Sequence, residues 1–179
     1  MPDLKIWFKR PRIYWIIATG VLFVVLVAGI WGLIAVQAAP PQPFPYTHAP
    51  HIKIGISCIF CHSGAVRGQS AGLPTKSKCD GCHNNIKADT PLLKEWKQYS
   101  DTHQSIEWVP VALLPDFVYF SHQPHLSEHL DCINCHGDLS QMTTAKPQGY
   151  WTMGWCLDCH KKMAPEKFVK LSDCATCHQ

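Results

Sequence analysis

The sequence predicts one N-terminal transmembrane helix followed by a small, loop-rich, mainly α domain with little regular structure. Three observations predict it. Residues 13–36 carry no charge, five Cys-x-x-Cys-His motifs crowd the remainder, and no segment between them keeps a long apolar period.

The uncharged run is 24 residues long and includes Val21-Leu-Phe-Val-Val-Leu-Val, enough to cross a bilayer with some tilt. Lys5, Lys9, Arg10 and Arg12 precede it, accompanied only by Asp3, and Trp7, Tyr14, Trp15 and Trp31 stand near its ends as interfacial anchors. Basic flanks stay on the cytoplasmic side. Residues 1–12 are therefore expected to be cytoplasmic, with everything after the helix on the periplasmic, extracytoplasmic side of the cell membrane. A cleavable signal is the alternative, with Val36-Gln-Ala38 imitating a cleavage site. Its apolar region would span about 7 to 15 residues, shorter than this run, so an uncleaved anchor is the reading. Residues 37–45, containing Ala39-Pro-Pro-Gln-Pro-Phe-Pro, form an extended, semi-rigid spacer.

The ten cysteines fall at 58/61, 79/82, 132/135, 156/159 and 174/177, and each pair is followed at once by a histidine: His62, His83, His136, His160 and His178. In this motif the two thiols form thioethers to one haem, and the adjacent histidine lies under the iron as the proximal ligand. Cys58, Cys61, Cys79, Cys82, Cys132, Cys135, Cys156, Cys159, Cys174 and Cys177 thus attach five c-type haems. A zinc knuckle also uses Cys-x-x-Cys but has no need of a histidine after every second cysteine. Disulfides in such short loops are redox-active rather than structural.

Two motifs share a longer device. Tyr46-Thr-His48-Ala-Pro-His51 precedes Cys58-Ile-Phe-Cys61-His62 by six residues, and Phe120-Ser-His122-Gln-Pro-His125 precedes Cys132-Ile-Asn-Cys135-His136 by six. The two align without a gap, which is an internal repeat. The modules run over residues 46–85 and 120–162, and a fifth motif follows at 174–178, all within a pentahaem domain of residues 46–179. Histidines three residues apart point at different irons. His48 and His122 are expected to be distal ligands for the motif that follows directly, at His62 and His136, and His51 and His125 for the second motif of each module, at His83 and His160.

Residues 40–179 provide about 28 residues per haem, too few for an ordinary core. The haems must supply much of the buried apolar surface, and without them no stable fold is expected. The formal charge of +3 resides before the membrane; the remainder balances 12 basic against 12 acidic residues. Haem propionates then tip it acidic, so nothing in the charge points to nucleic acid, and a basic partner or a protein complex fits better.

The cysteine-free segment 86–119 opens with Thr90-Pro-Leu-Leu-Lys-Glu-Trp-Lys-Gln-Tyr, a helix start with a short amphipathic pattern. Residues 106–120 are apolar with two prolines and suit an extended segment packed on haem or on another subunit.

The fifth haem needs a sixth ligand. Met153, just before Cys156, and Met142 come first, followed by His103 and His129. A methionine would raise that haem's potential above its bis-histidine neighbours. Each methionine has the alternative of packing on a porphyrin face, and His129 fits a solvent-facing position better than a ligand.

The run Leu114-Pro-Asp-Phe-Val-Tyr-Phe-Ser-His, His125, Cys132-x-x-Cys135-His136-Gly137, Met142 and Met153-Gly-Trp-Cys156-Leu-Asp-Cys159-His160 resembles the pentahaem cytochrome c subunit of alternative complex III, of class III multihaem cytochrome c type. Haem count, single helix and length agree, so the resemblance covers nearly the whole chain. It implies a respiratory or photosynthetic complex that oxidises menaquinol or a similar quinol and passes electrons to an extracytoplasmic acceptor. The implied partners are an iron–sulfur subunit related to molybdopterin oxidoreductases, polytopic quinol-binding membrane subunits and a monohaem cytochrome c subunit. Before Leu-Pro-Asp many relatives carry a histidine where this chain reads Val111-Ala-Leu-Leu.

Three functions compete: an electron-transfer subunit that is no catalyst alone, a stand-alone quinol dehydrogenase of the single-helix multihaem type, and a terminal reductase. The second suits a methionine two residues after the first motif, yet that motif continues His62-Ser-Gly. The third needs an open iron site, and all five motifs end in histidine with further ligands to spare. The first is the reading, with no catalytic residue.

Overall fold

The computed structural model describes residues 4–149 and 151–178; Asp3 lies outside them. The chain divides after Ala38 into two units. The first is α1, Leu4–Gln37, of which Arg12–Val36 is long and apolar enough to cross a membrane. The helix begins well before the uncharged run because the leading lysines, arginines and leucine are good helix formers, and it continues through Pro11 although an interior proline removes one intrahelical hydrogen bond and crowds the preceding turn.

The second unit is mainly helical and loop-rich, with no strand among the described residues. Its helices are α2 (Ala49–Lys53), α3 (Cys58–Cys61), α4 (Lys76–His83), α5 (Pro91–Thr102), α6 (His122–Ser127), α7 (Ile133–His136), α8 (Met153–Met163), α9 (Phe168–Leu171) and α10 (Cys174–Cys177). Tight 3₁₀ turns occupy Ser63–Val66, Leu139–Gln141 and Pro165–Lys167. Each Cys-x-x-Cys-His motif therefore lies on, or ends, a short helix.

Local chemistry explains where these helices start. In α5 Pro91 takes the first position, where its missing N–H is not needed. Thr152 and Asp173 accept from the Trp155 and Ala175 backbone N–H groups and so cap α8 and α10. Gly137 follows α7 at φ +70°, a left-handed turn that glycine adopts without strain, and a Cβ there would run into the Gln148 side chain.

The protein's own core is small. Phe44, Ala65 and Trp96 are the buried apolar side chains among the described residues, and Ser100 is the buried polar one. Phe44 packs edge-on against Trp96 with ring centroids 5.2 Å apart, joining the proline-rich spacer to α5. Trp96 Nε1 donates to Asp80 Oδ1 at 2.9 Å, which joins α5 to the second motif.

The segment after α5 is extended, and part of it is anchored. Gln42 clamps Val109 with two bonds of 2.8 and 3.0 Å, and Trp108 Nε1 donates to the Pro74 carbonyl at 2.9 Å. Leu113 and Phe117 are exposed. A single antiparallel bridge pairs Val118 with His178, and Tyr119 N–H donates to the Cys177 carbonyl at 2.7 Å. The fifth motif is thereby tied to the entry of the second module.

The repeat seen in the sequence has a spatial counterpart. α2 packs on the turn Leu139–Gln141 after the third motif, and α6 packs on the turn Ser63–Val66 after the first. Thr47 Oγ1 donates to the Met142 carbonyl at 3.4 Å, and its repeat equivalent Ser121 Oγ donates to the Gly68 carbonyl at 3.5 Å. Met142 and Gly68 each lie six residues beyond their motif histidine, so the two contacts are equivalent. Each module thus holds the other by the same surface, as in an isologous dimer within one chain.

Candidate functional site

Four histidine pairs form the site. His48 stands over His62 with ring centroids 6.3 Å apart and planes 19° from parallel, and His122 stands over His136 at 6.3 Å and 13°. His125 faces His160 at 6.1 Å and 27°, and His51 faces His83 at 5.9 Å with the rings perpendicular. Two metal–nitrogen bonds of about 2 Å, plus about 1 Å from nitrogen to ring centre on each side, sum to about 6 Å. Each pair leaves room for one metal atom between its imidazoles.

Tyr46 and Phe120 set the upstream histidines. Tyr46 lies edge-on to His48 at 4.9 Å and stacks on His51 at 5.2 Å, while Phe120 lies edge-on to His122 and tilted against His125, both at 4.8 Å. One aromatic ring wedged between two imidazoles turns them towards different partners. Burial drives the Tyr46 hydroxyl up to about 12, with the Cys61 and Cys79 thiols adding to it.

Hydrogen bonds then fix the ring orientations. Nδ1 meets a backbone carbonyl in His51 (Thr47, 3.1 Å), His62 (Gly72, 2.7 Å), His83 (Ile86, 3.2 Å), His122 (Gln69, 2.9 Å), His125 (Ser121, 2.8 Å) and His178 (Phe117, 3.3 Å). A proton held on Nδ1 by a carbonyl leaves Nε2 as the metal-binding nitrogen. Burial, then His62 and His51, pull His48 down to about 4, so its ring is neutral and able to ligate at neutral pH. His136 is lowered in the same way by burial, then His122 and His62.

The donor set and the shielded polar atoms suit haem. Among the described residues no group of three or more His, Cys, Asp or Glu side chains gathers into a metal cage. The chain offers histidines in pairs, as an iron already held by four porphyrin nitrogens requires. None of the ten cysteines is joined in a disulfide among the described residues, and all stand in the motif pairs. Trp151 Nε1 and His160 Nδ1 are buried without a protein partner, and Trp151 lies edge-on to His136 at 5.4 Å. A porphyrin propionate would satisfy such an indole N–H.

The fifth motif differs. His178 stacks on Phe117 at 5.8 Å, and among the described residues no histidine ring faces it. Met153 is 67 % exposed at the first residue of α8. Met142 accepts at its sulfur from Gln148 Nε2 at 3.6 Å. His103 stacks on Tyr99 at 4.1 Å with Nδ1 3.0 Å from the Tyr99 carbonyl, and His129 is exposed at φ +60°. Sequence reasoning passed over Phe117, Trp151 and Asp80. The only signal for Asp80 was a carboxylate between the two cysteines of a motif.

Comparison with known proteins points to cytochromes of the same class. Residues 118–179, which hold three of the five motifs, match the family described as cytochrome c7 and related cytochrome c. The multihaem cytochrome c subunit of menaquinone reductase from Nitratidesulfovibrio vulgaris is 28% identical over 185 residues, covering 88% of this chain and 87% of that protein. The similarity is thus to multihaem cytochromes c with covalently bound haem.

Proposed function

We propose that this chain is a membrane-anchored pentahaem c-type cytochrome that relays electrons within a quinol-oxidising complex of the alternative complex III kind, to an extracytoplasmic acceptor. The observation that carries the reading is the set of four histidine pairs whose rings stand about 6 Å apart, each pair containing one motif histidine. Haem bound between two histidines exchanges single electrons and has no open position for a substrate.

The chain's own residues then have defined tasks. The ten cysteines hold the groups covalently; His62, His83, His136, His160 and His178 bind from one side, and His48, His51, His122 and His125 from the other. Backbone carbonyls hold the Nδ1 protons, and Tyr46 and Phe120 keep paired imidazoles from turning towards the same centre. For the fifth site Met153 is the proposed distal ligand, since the sulfur of Met142 already accepts from Gln148. The helix α1 anchors the chain, with the N-terminus cytoplasmic and residues 46–179 on the periplasmic side. The proposed partners are the iron–sulfur, polytopic quinol-binding and monohaem cytochrome subunits that the resemblance implies.

A second reading is the same relay running towards menaquinone, and the named activity of the Nitratidesulfovibrio vulgaris relative favours it. Either way the chain serves as a subunit and performs no catalysis alone. The intact mass of the mature chain, with its haemochrome absorbance, tests the shared premise. Five haems per chain are expected, and fewer would overturn it.

A further inference from the structure

We propose that Lys78 raises the reduction potential of the haem at motif 58–62 through its charge, and so sets that haem apart from its repeat counterpart at 132–136. This goes a step beyond the haem reading above and rests on it.

Lys78 stands in α4 immediately before Cys79, yet its ammonium lies at the neighbouring motif. Lys78 Nζ sits over the Phe60 ring, 4.5 Å from the centroid. Phe60 is the residue before Cys61 in α3, so the cation is held beside the segment that carries both attachment cysteines of motif 58–62. The negative face of the ring attracts the ammonium and keeps it there.

No carboxylate cancels that charge. Among the described residues the ion pairs are Lys97 with Asp101 and Lys167 with Glu128, and neither involves Lys78. Asp80 is the one acid in α4, but residues two apart on a helix do not face each other. Its carboxylate is turned to α5, where Trp96 Nε1 donates to it at 2.9 Å and Ser100 Oγ reaches both oxygens at 3.5 Å. The helix α4 thus presents its cation to the first motif and its carboxylate to α5.

The internal repeat makes the consequence specific. Phe60 corresponds to Asn134, and the residue before Cys156, in the place of Lys78, is Trp155. The second module therefore has neither this ring nor this cation. The histidine pairs do not tell the two sites apart: His48 and His62 stand 6.3 Å apart with planes 19° from parallel, His122 and His136 6.3 Å apart at 13°. With ligand type and spacing alike, the charge beside the sites differs. Reduction adds one electron at the site, and a positive charge held nearby stabilises the reduced form and so raises the potential. Lys78 is exposed, so its field runs partly through water and is weakened by salt.

The test is a potentiometric titration of the full-length, haem-loaded chain in detergent, with methyl resonances assigned to each haem reporting its redox state. Lys78→Gln should lower the potential of the haem at 58–62, shift that at 79–83 less, and leave that at 132–136 in place. Lys78→Arg keeps a cation over the ring and should keep the wild-type value. The difference between Lys78→Gln and wild type should shrink from about 0.01 M to about 1 M salt, as the screening length falls from about 30 to about 3 Å. No fall in Lys78→Gln, an equal fall in Lys78→Arg, a larger shift at 79–83 than at 58–62, or a fall that ignores salt would overturn the proposal, while five haems by mass leave the attachment reading intact. Fewer than five haems in the wild-type chain would overturn the reading beneath it.

Discussion

Trp96 Nε1 donates to Asp80 Oδ1 across 2.9 Å, and this bond joins the largest buried side chain among the described residues to the middle of the second Cys-x-x-Cys-His motif. Ser100 Oγ reaches the same carboxylate at 3.5 Å, and Lys76 Nζ donates to the Ser100 carbonyl. Trp96→Ala should cost about 3–5 kcal/mol through lost packing. Trp96→Phe keeps most of the ring and should cost about 1–3 kcal/mol, chiefly for the lost bond to Asp80 Oδ1, which keeps only the longer contact from Ser100. Thermal unfolding of the haem-loaded chain should rank the melting temperatures wild type, W96F, W96A. Equal melting for W96F and wild type would show that the bond contributes nothing.

Tyr46 and Phe120 occupy equivalent places, so Tyr46→Phe should be tolerated. The loss should stay within about 1 kcal/mol because the stacking area is kept. Tyr46→Ala removes the wedge between His48 and His51 and should alter the low-spin EPR signals of motifs 58–62 and 79–83 together. A change confined to one of them would show that the two imidazoles are set independently.

His125 lies closer in sequence to the third motif, yet its ring faces His160. His125→Met should therefore shift the spectrum and raise the potential of the haem at 156–160 and leave that at 132–136 nearly unchanged. Methyl resonances assigned to each haem would decide it, and a shift at the Cys132 haem alone would reverse the pairing.

Gly137→Ala combines a left-handed backbone with a Cβ placed into Gln148. A cost of about 1–3 kcal/mol is expected from the backbone alone. G137A with Gln148→Ala should recover the part due to the clash. If the double variant melts no higher than the single one, the backbone accounts for the whole effect.

The reach of the sequence follows from what spacing encodes. A strictly repeated Cys-x-x-Cys-His, and histidines at fixed offsets before two of them, are local patterns that survive any packing, so the short motif helices and the histidines to compare were legible. The run 13–36 was legible as an apolar helix but its start was not, because Lys5, Lys9 and Arg10 continue a helix as readily as they end a span. The exchange of contacts between Thr47 and Met142, and between Ser121 and Gly68, was closed to sequence reading. Two equivalent segments pack within their own module or across to the other with the same residues, and only the tertiary arrangement selects. The same holds for Trp108, whose indole bond to the Pro74 carbonyl pins a segment that reads merely as apolar.

The central claim is that this chain is a relay and takes no electrons from quinol alone. Its most direct test follows the haem absorbance of the detergent-solubilised full-length chain after mixing with a menaquinol analogue, first in isolation and then within its native membrane complex. The account predicts reduction in the complex and none on the same timescale in isolation. Fast reduction of the isolated chain would contradict it and make this cytochrome a quinol dehydrogenase in its own right.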